Sequence, residues 1–292
     1  MTRGGTSGRP QRIGLRGRPK WRCAADTRSV SPVPVEGMAV EGHRQITMTT
    51  MSQDEVEPLM RSEAEQDEED AFQRLYGAWA PLTPSGVADL MDGYERPWWI
   101  VGGWAIDAAT GLPREHEDVD VSVLACDVPE LYGHLKGQWH LWNNVAGSLT
   151  PLSDTRPDAR DPESQIWVRA EATAPWVMDI VLTPDRAGLW VNKRDPEHVA
   201  SVEDVTWRHT DGIRYQLPEI VLLFKAALAR PKDERDLQMT WTRMSDTSRA
   251  WLREQVARLY PEHAWTPLME TFESVEAIAP ATRRLDDTST RL

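Results

Sequence analysis

The stretch that most limits what this chain can become runs from Trp98 to Val123. Trp98-Trp-Ile-Val101 is a short apolar run ended by the pair Gly102-Gly103, after which residues from Trp104 to about Ala109 have the composition of a helix. A strand that turns through two glycines into a helix leaves the unpaired first-turn N–H groups above the turn, where a phosphate is the natural occupant. Glycine takes backbone angles closed to other residues and lets a ligand approach the main chain. Gly102 and Gly103 are therefore candidate phosphate-binding positions, although such a pair is more often a plain connection.

Beyond a loop around Gly111 and Pro113, Asp118-Val-Asp-Val-Ser-Val123 alternates polar and apolar residues at the period of a strand. Asp118, Asp120 and Ser122 then share one face while the valines enter the core. Two carboxylates roughly 7 Å apart along a face, at ~3.3 Å per residue, repel each other unless a cation lies between them. Mg2+ suits the arrangement, because it takes one or two carboxylates and completes its shell from substrate phosphates. A third acid, Asp179, interrupts the apolar run Trp176-Val-Met-Asp-Ile-Val-Leu182. In a central strand an unpaired carboxylate is costly, and metal ligation or proton transfer accounts for it; on an edge strand it would simply face water.

Taken together, Gly102-Gly-Trp-Ala-Ile-Asp107, Gly111, Arg114, His116 and Asp118-x-Asp120 resemble the signature of the nucleotidyltransferase superfamily, and specifically its aminoglycoside-2''-adenylyltransferase-like branch. The likeness continues through Tyr215-x-Leu-Pro-Glu-Ile-Val-Leu-Leu-Phe-Lys225 and Arg230-Pro-Lys-Asp-Glu-Arg-Asp236. The resemblance implies an α+β fold, a nucleotidyltransferase-type mixed sheet flanked by helices with a C-terminal helical segment. It also implies a Mg2+-dependent transfer of AMP from ATP to a hydroxyl of a small molecule, with an aminoglycoside-like antibiotic as the first choice. Asp118 and Asp120 would hold the metal, and Asp179 would be its third ligand or the general base. Gly102 and Gly103 would receive the triphosphate, Arg114 would contact phosphate, and Lys225 would meet the leaving pyrophosphate. Lys232, Asp233 and Asp236 are read instead as a structural charge network, and His116 as a ligand contact or a satisfied structural residue.

Three other readings share parts of this pattern. Toxin-like nucleotidyltransferases also carry a glycine pair and an Asp-x-Asp but modify tRNA or protein. Glycosyltransferases use Asp-x-Asp for a nucleotide-bound metal, which leaves Gly102-Gly103 and Asp179 unexplained. A non-catalytic nucleotide-binding domain would keep the pocket without turnover.

Composition narrows the partners. The formal net charge is −13, while residues 1–47 hold nine Lys or Arg against three acids, so the body of the chain is more acidic still. Such a body repels nucleic-acid backbones and suits polycationic small molecules. Two cysteines, Cys23 and Cys126, are too few for a disulfide framework and fit a reducing cytoplasm. No apolar run approaches a membrane span, and the first residues lack a signal core.

Four regions are expected. Residues 1–52 read as a disordered basic segment, rich in Gly, Pro and Arg without apolar periodicity. Residues 53–215 form the core with its N-terminal helices, opening on Phe72, Leu75, Tyr76 and Trp79 at helical spacing and on Thr83-Pro84 as cap and first turn. Residues 216–278 form the helical segment, and 279–292 a disordered tail. Within the core, residues 150–164 read as a loop, Asp211-Gly212 as a hairpin turn, and Lys193 and Arg214 as cations able to face the site. The tryptophans fit a core or an acceptor cleft equally well. Removal of residues 1–47 is expected to leave the folded structure and activity intact, as checked by circular dichroism and nucleotide transfer on the shortened chain.

Overall fold

The structure, a computed structural model, describes residues 63–159 and 163–274. The expectations of disorder at 1–52 and 279–292 fall outside the described residues. Of the described residues, 63–72 belong to one unit and those from 73 onward to another, which carries everything described below.

Two helices, α1 (Glu63–Tyr76) and α2 (Pro84–Leu90), lead into β1 (Trp98–Ile100), α3 (Gly102–Thr110), β2 (Asp120–Leu124) and α4 (Val128–Leu135). There follow β3 (His140–Val145), β4 (Ser148–Pro151), β5 (Gln165–Arg169), β6 (Trp176–Thr183), β7 (Asp185–Arg186), β8 (Leu189–Asn192) and β9 (Asp195–Ala200). The chain continues through α5 (Val202–Val205), β10 (Thr206–Arg208), β11 (Arg214–Gln216), α6 (Pro218–Ala226), α7 (Pro231–Trp241) and α8 (Asp246–Leu259), and residues 265–274 are helical. Among the described residues no helix is long and apolar enough to cross a membrane.

Eight strands form one mixed sheet in the order β10-β11-β1-β2-β6-β5-β3-β4, and β7-β8-β9 form a second, three-stranded sheet. Within the larger sheet β1 runs parallel to β11 and β2 parallel to β6; its other pairs are antiparallel. The fold is therefore the α+β mixed sheet with helices and a helical C-terminal segment that the motifs imply. Alternation along β2 and β6 puts Val121, Val123, Met178, Ile180 and Leu182 into a core shared with α2, α4 and the C-terminal helices. Their opposite face carries the polar residues and a smaller cluster of Trp99, Leu124, Trp190, Val202, Val205 and Ile220. The polar face thus lies over the middle of the sheet, with both edges of β6 paired.

Several local features depart from the sequence reading. Trp79 lies beyond the end of α1 and forms an isolated bridge with Trp176, while Leu75 is 77% exposed, so the apolar spacing around it is not a buried helix face. The stretch read as a loop from 150 begins inside a hairpin, β3–β4, whose turn residues Ala146 and Gly147 both have positive φ. An alanine in that conformation gives no sequence signal. Helix α6 is buried on nearly all sides, at Ile220, Val221, Leu222, Leu223 and Ala226, and not along one stripe, because it lies between both clusters and α8. By contrast, Thr83 caps α2 by accepting from the Gly86 N–H, as its position before Pro84 requires.

Val121, Ile180 and Ile166 stand side by side across β2, β6 and β5, all fully buried. Replacing Ile180→Ala is expected to lower stability by about 2–5 kcal/mol through lost burial and the cavity left behind, measured by urea denaturation.

Candidate active site

The parallel pairing of β2 with β6 sets Asp120 directly opposite Asp179. Paired residues on adjacent strands project to the same face, so the two carboxylates share the polar side of the sheet. The central-strand position of Asp179 answers the question left open by its sequence. Asp118 lies just ahead of β2, not within it; its backbone carbonyl accepts a 3.0 Å hydrogen bond from the Trp104 indole. Main-chain bonds tie the three segments together, from Val101 N–H to the Asp120 carbonyl and from Asp179 N–H to the Val119 carbonyl.

Crowding of like charges in a half-buried setting is visible in the proton affinities. Burial first, then the charge of Asp118, push the Asp120 carboxyl up to about 7. Burial, Asp120 and Asp118 raise Asp179 well above the ordinary carboxylate range, against weaker opposing effects from the Trp167 indole and Lys193. Asp179 Oδ1 is buried without a hydrogen-bond partner.

These are groups that lack a positive counterpart between them, and a divalent cation fits that deficit. Among the described residues no three His, Cys, Asp or Glu side chains already stand gathered as a closed metal cage. An ion at Asp118 and Asp120 would therefore take further oxygens from a ligand, the habit of Mg2+ with phosphates.

Both glycines at the turn are explained by what surrounds them. Gly102 has φ +66°, and a Cβ there would lie 2.3 Å from Asp120 Oδ2. A Cβ on Gly103 would lie 2.8 Å from His116 Cε1 and 3.2 Å from an Arg114 Nη atom. The sequence reading gave the glycines to a ligand's approach; in the structure their missing side chains already make room for Asp120, His116 and Arg114. Helix α3 opens at Gly102 without a side-chain cap at Val101.

Around the carboxylates runs a chain of alternating charges. Asp107, buried in α3, accepts from Arg114 N–H (2.9 Å) and approaches His116 Nε2 (2.7 Å) and Arg114 Nε (3.0 Å). The Arg114 guanidinium also donates to Asp236. Asp236 in turn lies 2.8 Å from Lys225 Nζ, which is 3.4 Å from Asp233, and Asp233 is held by Arg230 at 2.7 Å.

This geometry changes the expectation for Arg114. Its guanidinium is already committed to two buried carboxylates, so it braces the loop before Asp118 against α7 and has little left for a phosphate. His116, stacked on Trp104 at 4.1 Å between centroids, is a satisfied structural residue. Lys225, Lys232 and Arg230 all act to lower the proton affinity of Asp120 and so stand on the site's side of the helices. Lys193 acts on Asp179, whereas Arg214 binds Thr206 and Glu203 instead.

The sequence gives no sign of a role for Asp107 or Arg169, and leaves Trp167, like the other tryptophans, open between core and acceptor cleft. Trp167 pairs with Asp179 across β5–β6 and packs edge-on against Tyr76, Trp79 and Trp176. The bulge at Val168/Arg169 turns Trp176 onto this same face. Arg169 stacks over Trp142 and Trp176, with Cζ 4.9 and 4.2 Å from the ring centroids. One tryptophan in β5 and one in β6 mark candidates for this wall, but the bulge that assembles it leaves no mark in the sequence.

Residues 85–139 match the family described as aminoglycoside-2''-adenylyltransferase, a segment that includes the glycine pair, Arg114, His116, Asp118 and Asp120. The resemblance read from the motif falls on these same residues. No curated protein sequence matches the chain. Among solved structures, ANT(2")-Ia in complex with adenylyl-2"-tobramycin is similar at 15% identity, covering 59% of this chain and 94% of that one, with a TM-score of 0.38. The lincomycin-bound lincosamide antibiotic adenylyltransferase LnuA is similar at 18% identity, covering 54% and 94%, with a TM-score of 0.37.

Asp236 is 1% exposed and neutralises both Arg114 and Lys225. Asp236→Asn is expected to cost about 1.5–3 kcal/mol, the scale of a lost hydrogen bond between charged groups, because it leaves Arg114 with Asp107 alone and Lys225 with Asp233 alone, and the loss is measurable by chemical denaturation.

Proposed function

We propose that the protein is a nucleotidyltransferase that moves AMP from ATP to a hydroxyl group of a small molecule. The observation that carries this reading is the in-register pairing of Asp120 with Asp179, with Asp118 beside them and three basic side chains acting on Asp120. A field of that kind suits a polyphosphate: carboxylates for its cation, and Lys225, Lys232 and Arg230 for its own negative charge.

Asp118 and Asp120 would hold Mg2+, which when bound neutralises the triphosphate and favours departure of pyrophosphate. The helix α3 N-terminus behind Gly102 offers main-chain N–H groups to phosphate oxygens. Asp179, on the face of Asp120 and with a raised proton affinity, would take the proton of the acceptor hydroxyl. That oxygen then forms a bond to the α-phosphorus as the bond to the β-phosphate oxygen breaks. Lys225, committed to Asp236 and Asp233 as Arg114 is to Asp107 and Asp236, would act on the leaving group through the field it already exerts on Asp120. For Arg114 we assign a bracing role and not a phosphate contact.

ANT(2")-Ia and LnuA are bound to a tobramycin adduct and to lincomycin respectively, so antibiotics of those two classes are the first acceptors to offer. Labelled ATP supplied with aminoglycosides, lincosamides, tRNA and total protein separates a small-molecule transferase from one that modifies macromolecules. Label on tRNA or protein alone would reject this assignment. Asp179→Asn should abolish transfer while metal-dependent ATP binding persists, and Asp120→Asn should abolish both.

The raised Asp120 carboxyl also gives a pH signature. Its ordinary value is 3.8 and its folded value about 7. Between these the folded chain keeps a proton that the unfolded chain has lost, so stability from this group falls as pH rises across that window. Melting curves at about pH 5 and pH 8 check this; the values follow from linkage between those two limits. Mg2+ is expected to raise the melting temperature at the higher pH and do little at the lower. Asp120→Asn should raise the metal-free melting temperature at the higher pH and remove the Mg2+ response.

A further inference from the structure

Arg169 is the charged side chain that the reading above leaves without a task. It ends β5 on the face shared by Asp179 and Trp167, two residues along the strand from Trp167. Its guanidinium lies over the rings of Trp142 and Trp176. It makes no hydrogen bond or ion pair with any described residue, and its Nε is buried without a partner. The two Nη atoms are not enclosed, so the fork of the guanidinium opens outward from between the indoles.

An arginine held in this way is unusual. Guanidinium groups removed from water are normally paired with carboxylates, as Arg114 and Arg230 are here. Burial alone pushes the Arg169 proton affinity down, with no carboxylate near enough to oppose it. This unmatched donor stands at the aromatic wall, on the same face of the sheet as Asp179, the residue proposed to receive the acceptor's proton. What it lacks is an oxygen acceptor, and what the fork of an arginine matches is a planar or tetrahedral oxyanion.

We propose that Arg169, held over the rings of Trp142 and Trp176, forms an acceptor subsite that binds a carboxylate or phosphate group of the small molecule whose hydroxyl lies at Asp179. The assignment to the acceptor rests on the transferase reading; the capacity to bind an oxyanion does not. The subsite disfavours acceptors that present an ammonium group at this end, and so narrows the polycationic class suggested by net charge.

The test uses the full chain titrated with inorganic phosphate and, separately, with succinate, followed by calorimetry and tryptophan fluorescence. Wild-type protein is expected to bind at least one of them on the order of tenfold or more tightly than Arg169→Gln, the scale of a hydrogen bond to a charged group. Preference for succinate identifies a carboxylate as the natural group, and preference for phosphate identifies a phosphoryl group. Arg169→Lys, which keeps the charge and loses the fork, should fall between the two proteins.

ATP affinity should be the same in all three. A parallel loss of ATP affinity in Arg169→Gln would overturn the proposal by putting the arginine in the donor site. Equal anion binding by wild type and both variants would overturn it outright. Melting temperature should be little changed in Arg169→Gln, since no ion pair is lost; a large drop would mean that stacking on the indoles is the whole purpose of the residue. Because these measurements need no turnover, a protein that binds the anions through Arg169 yet transfers nothing from ATP would refute the transferase reading and leave the oxyanion site standing.

Discussion

Two aspartates on adjacent parallel strands, held opposite each other by main-chain hydrogen bonds, are the constraint to which the rest of this fold answers. Asp120 and Asp179 cannot move apart without breaking the β2–β6 pairing, and that pairing is anchored from below by the buried row of Val121, Ile180 and Ile166. The core therefore enforces a repulsion that the side chains would otherwise relax. Raised proton affinities at both carboxyls are the outward sign of it. A rigid apolar layer beneath and an unbalanced charge above is how a fold keeps binding capacity in reserve for a cation and its ligand.

The surrounding charges show how the arrangement is kept in place. Asp107, Arg114, Asp236, Lys225, Asp233 and Arg230 alternate in sign from α3 through the following loop to α6 and α7. Each buried carboxylate in that chain has a cation, in contrast to Asp120 and Asp179. The network thus fixes the loop that delivers Asp118 and presents basic groups to Asp120, while leaving the central acids unmatched. Glycines at 102 and 103 serve the same packing, since a side chain at either would collide with Asp120 or with His116 and Arg114.

On the other flank the chemistry turns from paired charge to aromatic surface. Trp79, Trp142, Trp167 and Trp176 gather near the β5–β6 bulge, and two of them, Trp142 and Trp176, carry an arginine that has no countercharge among the described residues. The sheet face is therefore asymmetric. Basic groups of the helices act on the carboxylates from one side, and an indole wall borders them on the other.

Much of this was written in local sequence. The strand, glycine pair and helix, the alternation of Asp118 to Val123, the lone acid at 179, the Thr83-Pro84 cap and the Asp211-Gly212 turn all follow from spacing and residue type, because backbone geometry repeats at a fixed period. The sequence also marks which residues are candidates for the site. It does not mark which charges find partners. Whether Arg114 meets a phosphate or Asp236, whether Asp179 lies on an edge or in the centre, and whether Trp176 joins the core or the indole wall depend on strand order, register and one bulge. Those are set by contacts between residues as much as 122 positions apart, as Arg114 and Asp236 are. A side chain's charge is local information, but its countercharge is a property of the tertiary fold.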